Sequence, residues 1–277
     1  MPLEFRQIAP APDLRAHVRH YWVLQGEASG APAHPVFPDG CGEIVFNLGP
    51  SAHELHESGR STVQPAAMLV GQMTRPVHIM PGGVLRMVGI KLAPWGAAAM
   101  LGEAGATVRD RTIALSEVHP GALEEVPERL DDCGSGDELG AVLDRAVRAR
   151  LDAGGARRLE RLGHLARSIR LEPGASVDAW SCALGCSART LERHFGRFVG
   201  LSPKEFSRVR RFQRALRLAR TRPSLRWAVI AARTGYSDQA HLVREFRQFA
   251  GSAPTRVGPS STPITAAFVD QGDEARR

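Results

Sequence analysis

At 277 residues, 43% of them apolar, the chain suits two domains of ordinary size, each with enough apolar side chains for a core. No run approaches the roughly 18 uncharged apolar residues of a membrane helix. The opening MPLEFRQIAPAPDLR has no apolar stretch behind a basic cluster, so neither a membrane nor a secretory destination is expected and the protein is placed in the cytoplasm. The formal net charge of +7 is unevenly spread: residues 151–258 hold 21 Arg and Lys against 8 Asp and Glu, a net of +13, and the remainder is net −6. A mildly acidic front joined to a strongly basic back is the layout of a protein whose rear part meets phosphates.

The first 115 residues read mainly as short strands. Segments 20–25 (HYWVLQ), 43–48 (EIVFNL), 68–72 (MLVGQ) and 84–92 (VLRMVGIKL) are rich in β-branched and aromatic residues. Turn residues punctuate them at Pro38-Asp39-Gly40, Gly49-Pro50 and Pro81-Gly82-Gly83. Short strands at this spacing predict a sandwich or small barrel. Asp39, Glu43 and Asn47 read as turn and strand-edge residues. His17, His20, His34, His53, His56 and His78 invite a metal reading. However, His53 and His56 lie in a polar stretch read as strandless, and no HxH with a downstream Glu and His completes a ligand set. No metal and no cofactor are expected.

Helices follow. Residues 138–151 put Leu139, Val142, Leu143, Ala146, Val147 and Leu151 on one face. Two readings stand: a helix packed on its own domain, or a dimerisation helix. Asp152-Ala153-Gly154-Gly155 reads as the interdomain linker. The predicted domains are therefore 1–151 and 156–258, with 259–277 a disordered tail, because its Ser/Pro/Thr-rich start and GDEARR ending offer little to bury.

A helix-turn-helix needs a small residue where two helices cross, a Gly-containing turn, and a polar N-cap opening the second helix. Residues 176–199 (SVDAWSCALGCSARTLERHFGRFV) supply all three. Val177, Trp180 and Leu184 face inward, Ser181 is the small residue, Gly185 the turn, Cys186 the plug and Ser187 the cap. Leu191, Phe195, Phe198 and Val199 face inward on the second helix. Arg189, Glu192, Arg193 and Arg197 fall on its outer side. The pattern returns over 227–249 (WAVIAARTGYSDQAHLVREFRQF). Here Trp227, Ile230 and Thr234 face in, with Ala231, Gly235, Tyr236 and Ser237 as small residue, turn, plug and cap. Leu242, Phe246 and Phe249 face in; Gln239, Ala240, His241, Arg244 and Arg247 face out. Two copies in register are a far stronger signal than one. Between them, residues 203–220 open with Ser202 as N-cap and Pro203 at the first helical position, a helix able to join the units rigidly. Cys41, Cys133, Cys182 and Cys186 are too scattered for a disulfide framework, and Cys182 with Cys186 lacks a second pair for zinc. His194 reads as structural, Trp180 and Trp227 as core anchors, and Arg197, Arg208 and Arg247 as either solvated or clamping phosphate. Glu192 reads either as a base contact or as paired with a neighbouring Arg.

On these residues the back part, roughly 160–258, resembles the AraC/XylS family of bacterial regulators. The resemblance rests on Gly200-Leu201-Ser202-Pro203, Arg211-Phe212-Gln213-Arg214-Ala215, Ile230-Ala231, Gly235-Tyr236-Ser237-Asp238-Gln239, and Gly251 with Pro254. It departs from the family at Ala240, where Ser is usual, at Leu242, where Phe is usual, and after Pro254, where an aromatic is missing. The front part resembles the sensing domain that precedes this module in some relatives, on Pro38-Asp39-Gly40-Cys41 and Glu43-Ile44-Val45-Phe46-Asn47-Leu48-Gly49. The fold implied is two-domain α+β: a β-rich, cupin-like N-terminal domain, then an all-α tandem helix-turn-helix DNA-binding domain.

The resemblance implies a non-enzymatic transcriptional regulator whose two recognition helices enter successive major-groove segments, with half-boxes on the order of 10 bp apart. Arg189, Glu192 and Arg193 fall on its base-reading positions, as do Gln239, His241 and Arg244 in the second unit. Arg suits guanine, Glu suits cytosine N4 and Gln suits adenine. Ala240, Arg197 and Arg247 complete the DNA-facing set. The implied partners are double-stranded DNA, a small-molecule effector at the front domain, a second copy in a homodimer, and RNA polymerase. The alternative is the same DNA-binding module attached to an enzymatic or purely partner-binding front domain. An alkyl-damage repair enzyme would need a Pro-Cys-His context or a four-Cys zinc cluster, and neither is present.

Overall fold

The four segments with the strongest strand pattern become the centre of one sheet. The computed structural model describes residues 2–154 and 177–257, except 31, 57, 103–105, 122 and 184. Its strands are β1 (Glu4–Ile8), β2 (Val18–Glu27), β3 (His34–Val36), β4 (Glu43–Asn47), β5 (His53–Leu55), β6 (Ser61–Val63), β7 (Ala67–Val70), β8 (Val77–Met80), β9 (Val84–Leu92) and β10 (Thr112–Ala114). They form a six-stranded sheet in the order β1-β2-β9-β4-β7-β10 and a four-stranded sheet in the order β3-β8-β5-β6. The paired strands run antiparallel. The stretch around His53, read as strandless, is thus the strand β5, paired with β6 and β8. Its pairing partners, not its own pattern, make it a strand.

Both faces of the large sheet are covered, so β4 is buried at every position. Trp22, Leu24, Val45, Met68, Leu85 and Met87 pack with Ile79 of the small sheet on one side. The Trp22 indole lies where a Cβ on Gly89 would sit, so only glycine fits that register position. On the other side Tyr21, Val23, Ile44, Phe46, Leu69, Val88 and Ile90 meet the helices α1 (Gly96–Leu101), α2 (Leu115–Val118), α3 (Val126–Asp131) and α4 (Gly136–Gly154).

Of the two readings of 138–151, the structure takes the first. Leu139, Leu143, Val147 and Leu151 are buried within their own domain. The Asp144 carboxylate in the same helix accepts from the Tyr21 hydroxyl at 2.8 Å and the Ala11 amide at 3.1 Å. The apolar stripe is therefore occupied within the chain. α4 also takes in 152–154, where the sequence places the linker; glycine is tolerated at a helix's end. Gly155, residues 156–176 and the tail at 259–277 lie outside the described residues.

The helical region comprises α5 (Val177–Ala183), α6 (Ala188–Phe198), α7 (Pro203–Thr221), α8 (Trp227–Thr234), α9 (Gln239–Ala250) and α10 (Pro254–Val257). The protein is thus a β-rich N-terminal region of two sheets followed by a helical C-terminal region. Among the described residues no helix is long and apolar enough to cross a membrane. The two regions share a core: Trp180, Leu191, Phe195, Val199, Leu201 and Phe206 belong to the apolar cluster that contains Ile44, Phe46 and Leu143. Val209, Phe212, Leu216, Ile230, Leu242, Phe246 and Phe249 form a second cluster, which also takes in Phe37 of the front region.

Candidate nucleic-acid interface

The first crossed pair is α5 and α6. Gly185 adopts φ 61°, a left-handed turn that a side chain disfavours. The Cys186 amide donates to the Ser181 carbonyl at 2.9 Å, closing the turn over the small crossing residue. Ser187 caps α6 by accepting from the Thr190 amide at 3.2 Å. Leu191 and Phe195 face in, and Phe195 meets Phe206 of α7 edge-on at 5.7 Å. Leu184, expected on the inward face, lies outside the described residues.

The second pair, α8 and α9, repeats this geometry. Gly235 adopts φ 84°, and the Tyr236 amide donates to the Ala231 carbonyl at 3.1 Å. Its cap differs from the expected Ser237. Asp238 caps α9, its carboxylate accepting from the His241 amide at 2.6 Å, while the Ser237 hydroxyl donates to Asp238 and lies 3.2 Å from His241 Nδ1. A carboxylate answers the positive helix end better than a hydroxyl does. The hydrogen bond from the His241 amide, with help from Ser237 and Arg244, holds the Asp238 carboxyl below its ordinary value against the opposing effect of burial.

α7 joins the units as expected. Ser202 and Glu205 form a reciprocal capping box with Pro203 in the first turn. Glu205 also accepts from both terminal guanidinium nitrogens of Arg109 of the front region, at 2.5 and 3.2 Å. Burial pushes the Glu205 carboxyl up, but Arg109 and the Ser202 amide and hydroxyl outweigh it and hold its pKa low.

Arg189, Glu192, Arg193, Arg197, Gln239, Ala240, Arg244 and Arg247 are all exposed, and His241 is half-buried. Among the described residues Glu192 forms no ion pair, and none holds Arg189, Arg193 or Arg247. Arg197 lies over the Phe198 ring at 5.1 Å. His194 is half-buried beside Phe198, and burial together with Arg193 and Arg197 lowers its pKa, so the neutral ring is favoured. Arg208 is half-buried and held by α9. It binds the buried Glu245 of α9 at 2.6 Å and Gln248 at 2.5 Å. Arg211 approaches Glu245 at 3.5 Å and lies over the Tyr236 ring at 4.8 Å.

Two charged groups escaped the sequence reading. Glu245 is one; its signal is that it is the lone acid in α9. The other lies in the front region, where Asp39 and Glu43, read as turn and edge residues, are 2% and 3% exposed and both pair with Lys91. Glu43 sits opposite Lys91 between the two central strands β4 and β9, and also accepts from the Trp22 indole at 3.1 Å. Burial opposes the Lys91 charge, but Asp39 and Glu43 outweigh it and hold its pKa above the ordinary value. Burial raises the Glu43 carboxyl, because one ammonium cannot fully offset two buried carboxylates. The available signal was a lysine retained inside the apolar run VLRMVGIKL, in a chain whose other lysine is Lys204.

Fold and site together define a helix-turn-helix protein: two crossed helix pairs on one connecting helix, behind a β-rich region. More particularly, residues 180–258 match the helix-turn-helix domain family and form a domain of the AraC type. Residues 6–114 match a family described as a domain of unknown function, DUF6597. Among solved structures, the chain is similar to ToxT from Vibrio cholerae, at 10% identity over 90% of this chain and 99% of that one, TM-score 0.49. It is also similar to a transcriptional regulator of the AraC-type DNA-binding domain-containing proteins from Chromobacterium violaceum, at 22% identity over 42% and 99%, TM-score 0.34. A third is an ethanolamine utilization protein from Salmonella typhimurium, at 14% identity over 33% and 70%, TM-score 0.27. No curated protein matches the chain.

Proposed function

We propose that the protein is a sequence-specific DNA-binding regulator of transcription that reads one face of a duplex with α6 and α9. The observation that carries this reading is the repeated turn. Twice the same amide-to-carbonyl bond over a small residue sets a capped helix at the surface with its Arg- and Gln-bearing side outward. Arg189, Glu192 and Arg193 in α6, and Gln239, Ala240, His241 and Arg244 in α9, are assigned to base edges; Arg197 and Arg247 are assigned to phosphates. The net charge of +13 over 151–258 supplies the attraction to the backbone.

The front domain, cupin-like in this reading, is where a small effector or a partner protein acts, and the core it shares with the first unit supports such coupling. A homodimer pairs through a surface other than the occupied stripe of α4. RNA polymerase is the further partner that the family resemblance implies, and the protein works in the cytoplasm without catalysing a reaction. Selection from a random DNA pool with the full-length chain tests the reading. A motif with two half-boxes about one helical turn apart is the expected result; a pool without an enriched motif overturns it.

A further inference from the structure

The segment 37–41 of the front region, Phe37-Pro38-Asp39-Gly40-Cys41, lies across the seam between the two helix-turn-helix units. At one end Phe37, 4% exposed, sits in the apolar core of the second unit, edge-on to Phe212 of α7 at 6.1 Å. At the other end Gly40, at φ 79°, faces Phe206, whose ring would stand 2.7 Å from a Cβ added there. Phe206 in turn packs on Phe195 of the first recognition helix. Between these ends, two backbone carbonyls are taken by α7: Pro38 accepts from the Gln213 amide group at 2.6 Å and Asp39 from the Arg210 guanidinium at 3.0 Å. Phe206, Arg210 and Gln213 recur every three to four residues, so one face of α7 is given over to the segment.

The segment is stiff on its own side as well. The Asp39 carboxylate is held by Lys91 and accepts from the Cys41 amide at 2.9 Å, and the Gly40 carbonyl accepts from Gln72 at 3.2 Å. An element fixed at its base, gripping the connecting helix at its middle and touching the core of each unit, restricts how those units turn relative to one another.

We propose that segment 37–41 positions the two recognition helices, so that the front domain sets which half-box spacing the protein accepts. Phe37 and Gly40, with Arg210 and Gln213 as their receivers, are positioning residues for DNA reading. This rests on the proposed function above. The units stay joined by α7 in any case, so release of the segment leaves each able to bind its own half-box and removes only the preference for one separation.

The test uses the full-length chain and the motif enriched from a random pool, with the spacer changed by two base pairs, which turns one box about 70° relative to the other. The wild type is expected to lose about tenfold or more in affinity, the equivalent of one bidentate base contact. Phe37→Ala is expected to bind the two spacings within about threefold of each other and to bind isolated half-boxes as the wild type does, a pattern that simple loss of stability would not give. Should Phe37→Ala fail to fold, Gln213→Leu removes one grip at similar volume and is read in the same way. A folded variant that keeps the wild-type spacing preference overturns the proposal, as does a wild type with no preference. A wild type that enriches no motif overturns the DNA reading instead.

Discussion

Lys91→Met isolates the buried charge cluster beneath segment 37–41. Methionine keeps most of the stem's volume, so the packing loss is small. What remains is two carboxylates, Asp39 and Glu43, 2% and 3% exposed, without their ammonium. At least one must then take a proton. Holding a carboxyl of ordinary pKa about 4.3 neutral at pH 7 costs about 1.4 kcal/mol per pH unit, or about 3.7 kcal/mol. That lies within the range of about 3–5 kcal/mol for buried pairs broken from one side. The sign follows from proton counts: the variant's folded state holds a proton that its unfolded state releases above pH 4.3, so its deficit shrinks as pH falls. It should be about 1 kcal/mol at pH 5. Urea denaturation of wild type and variant at pH 7, 6 and 5 measures this, and adding Glu43→Gln should recover much of the loss at pH 7. A deficit that does not change with pH, or one below about 1 kcal/mol at pH 7, refutes the reading of Lys91 as the counter-charge of the buried Asp39 and Glu43.

Arg193→Ala is expected to weaken specific DNA binding by about 1–3 kcal/mol and relax choice at one base, whereas Arg197→Ala should weaken all sequences alike and reduce the salt slope by about 0.9. Titration against single-base variants at two salt concentrations checks both. Asp238→Ala removes the cap of α9 and should cost about 1 kcal/mol in denaturation, with Ser237→Ala costing clearly less. Burial lowers the pKa of His34, and burial with Arg193 and Arg197 lowers that of His194. Their folded forms therefore resist protons that the unfolded chain accepts below about pH 6.5. Stability relative to the pair of variants His34→Gln and His194→Gln should fall as pH drops from 7 to 5.5, and parallel melting curves would refute this.

The sequence made some strands legible and hid others for a physical reason. The four predicted segments correspond to β2, β4, β7 and β9, neighbours at the centre of the large sheet. Buried on both faces, they must be apolar runs. β1 and β6 are edge strands with largely exposed patterns, and β5 is half-exposed, so no alternation marks them. In the helical region nearly every capping and turn residue was legible, because turn glycines and caps act locally. Within segment 37–41, residues 38–40 read as a turn and the buried role stayed hidden, since it comes from Phe206, Arg210 and Gln213, some 170 residues away. The same separation hid Glu43, whose partner Lys91 stands across β4 and β9.

The helix-turn-helix units also differ in a way that spacing alone conceals. Up to the turn they are offset by fifty residues: Ser181 corresponds to Ala231, Gly185 to Gly235 and Cys186 to Tyr236. From the caps onward the offset is fifty-one, since Ser187 corresponds to Asp238, Leu191 to Leu242 and Phe195 to Phe246. One residue has entered between plug and cap. A constant offset would set Gln239 opposite Arg189 and leave Arg193 opposite Val243. Counted from the caps, Ala240 and Arg244 take the places of Arg189 and Arg193, and Gln239 takes that of Ala188. In the proposed complex the first unit therefore meets its groove with two guanidinium groups one helical turn apart, a set suited to guanines. The second unit meets its groove with one, beside a methyl that fits a thymine. Unequal faces at the two ends of α7 give the protein a direction on DNA, because turning it end for end would set each face against the other's bases.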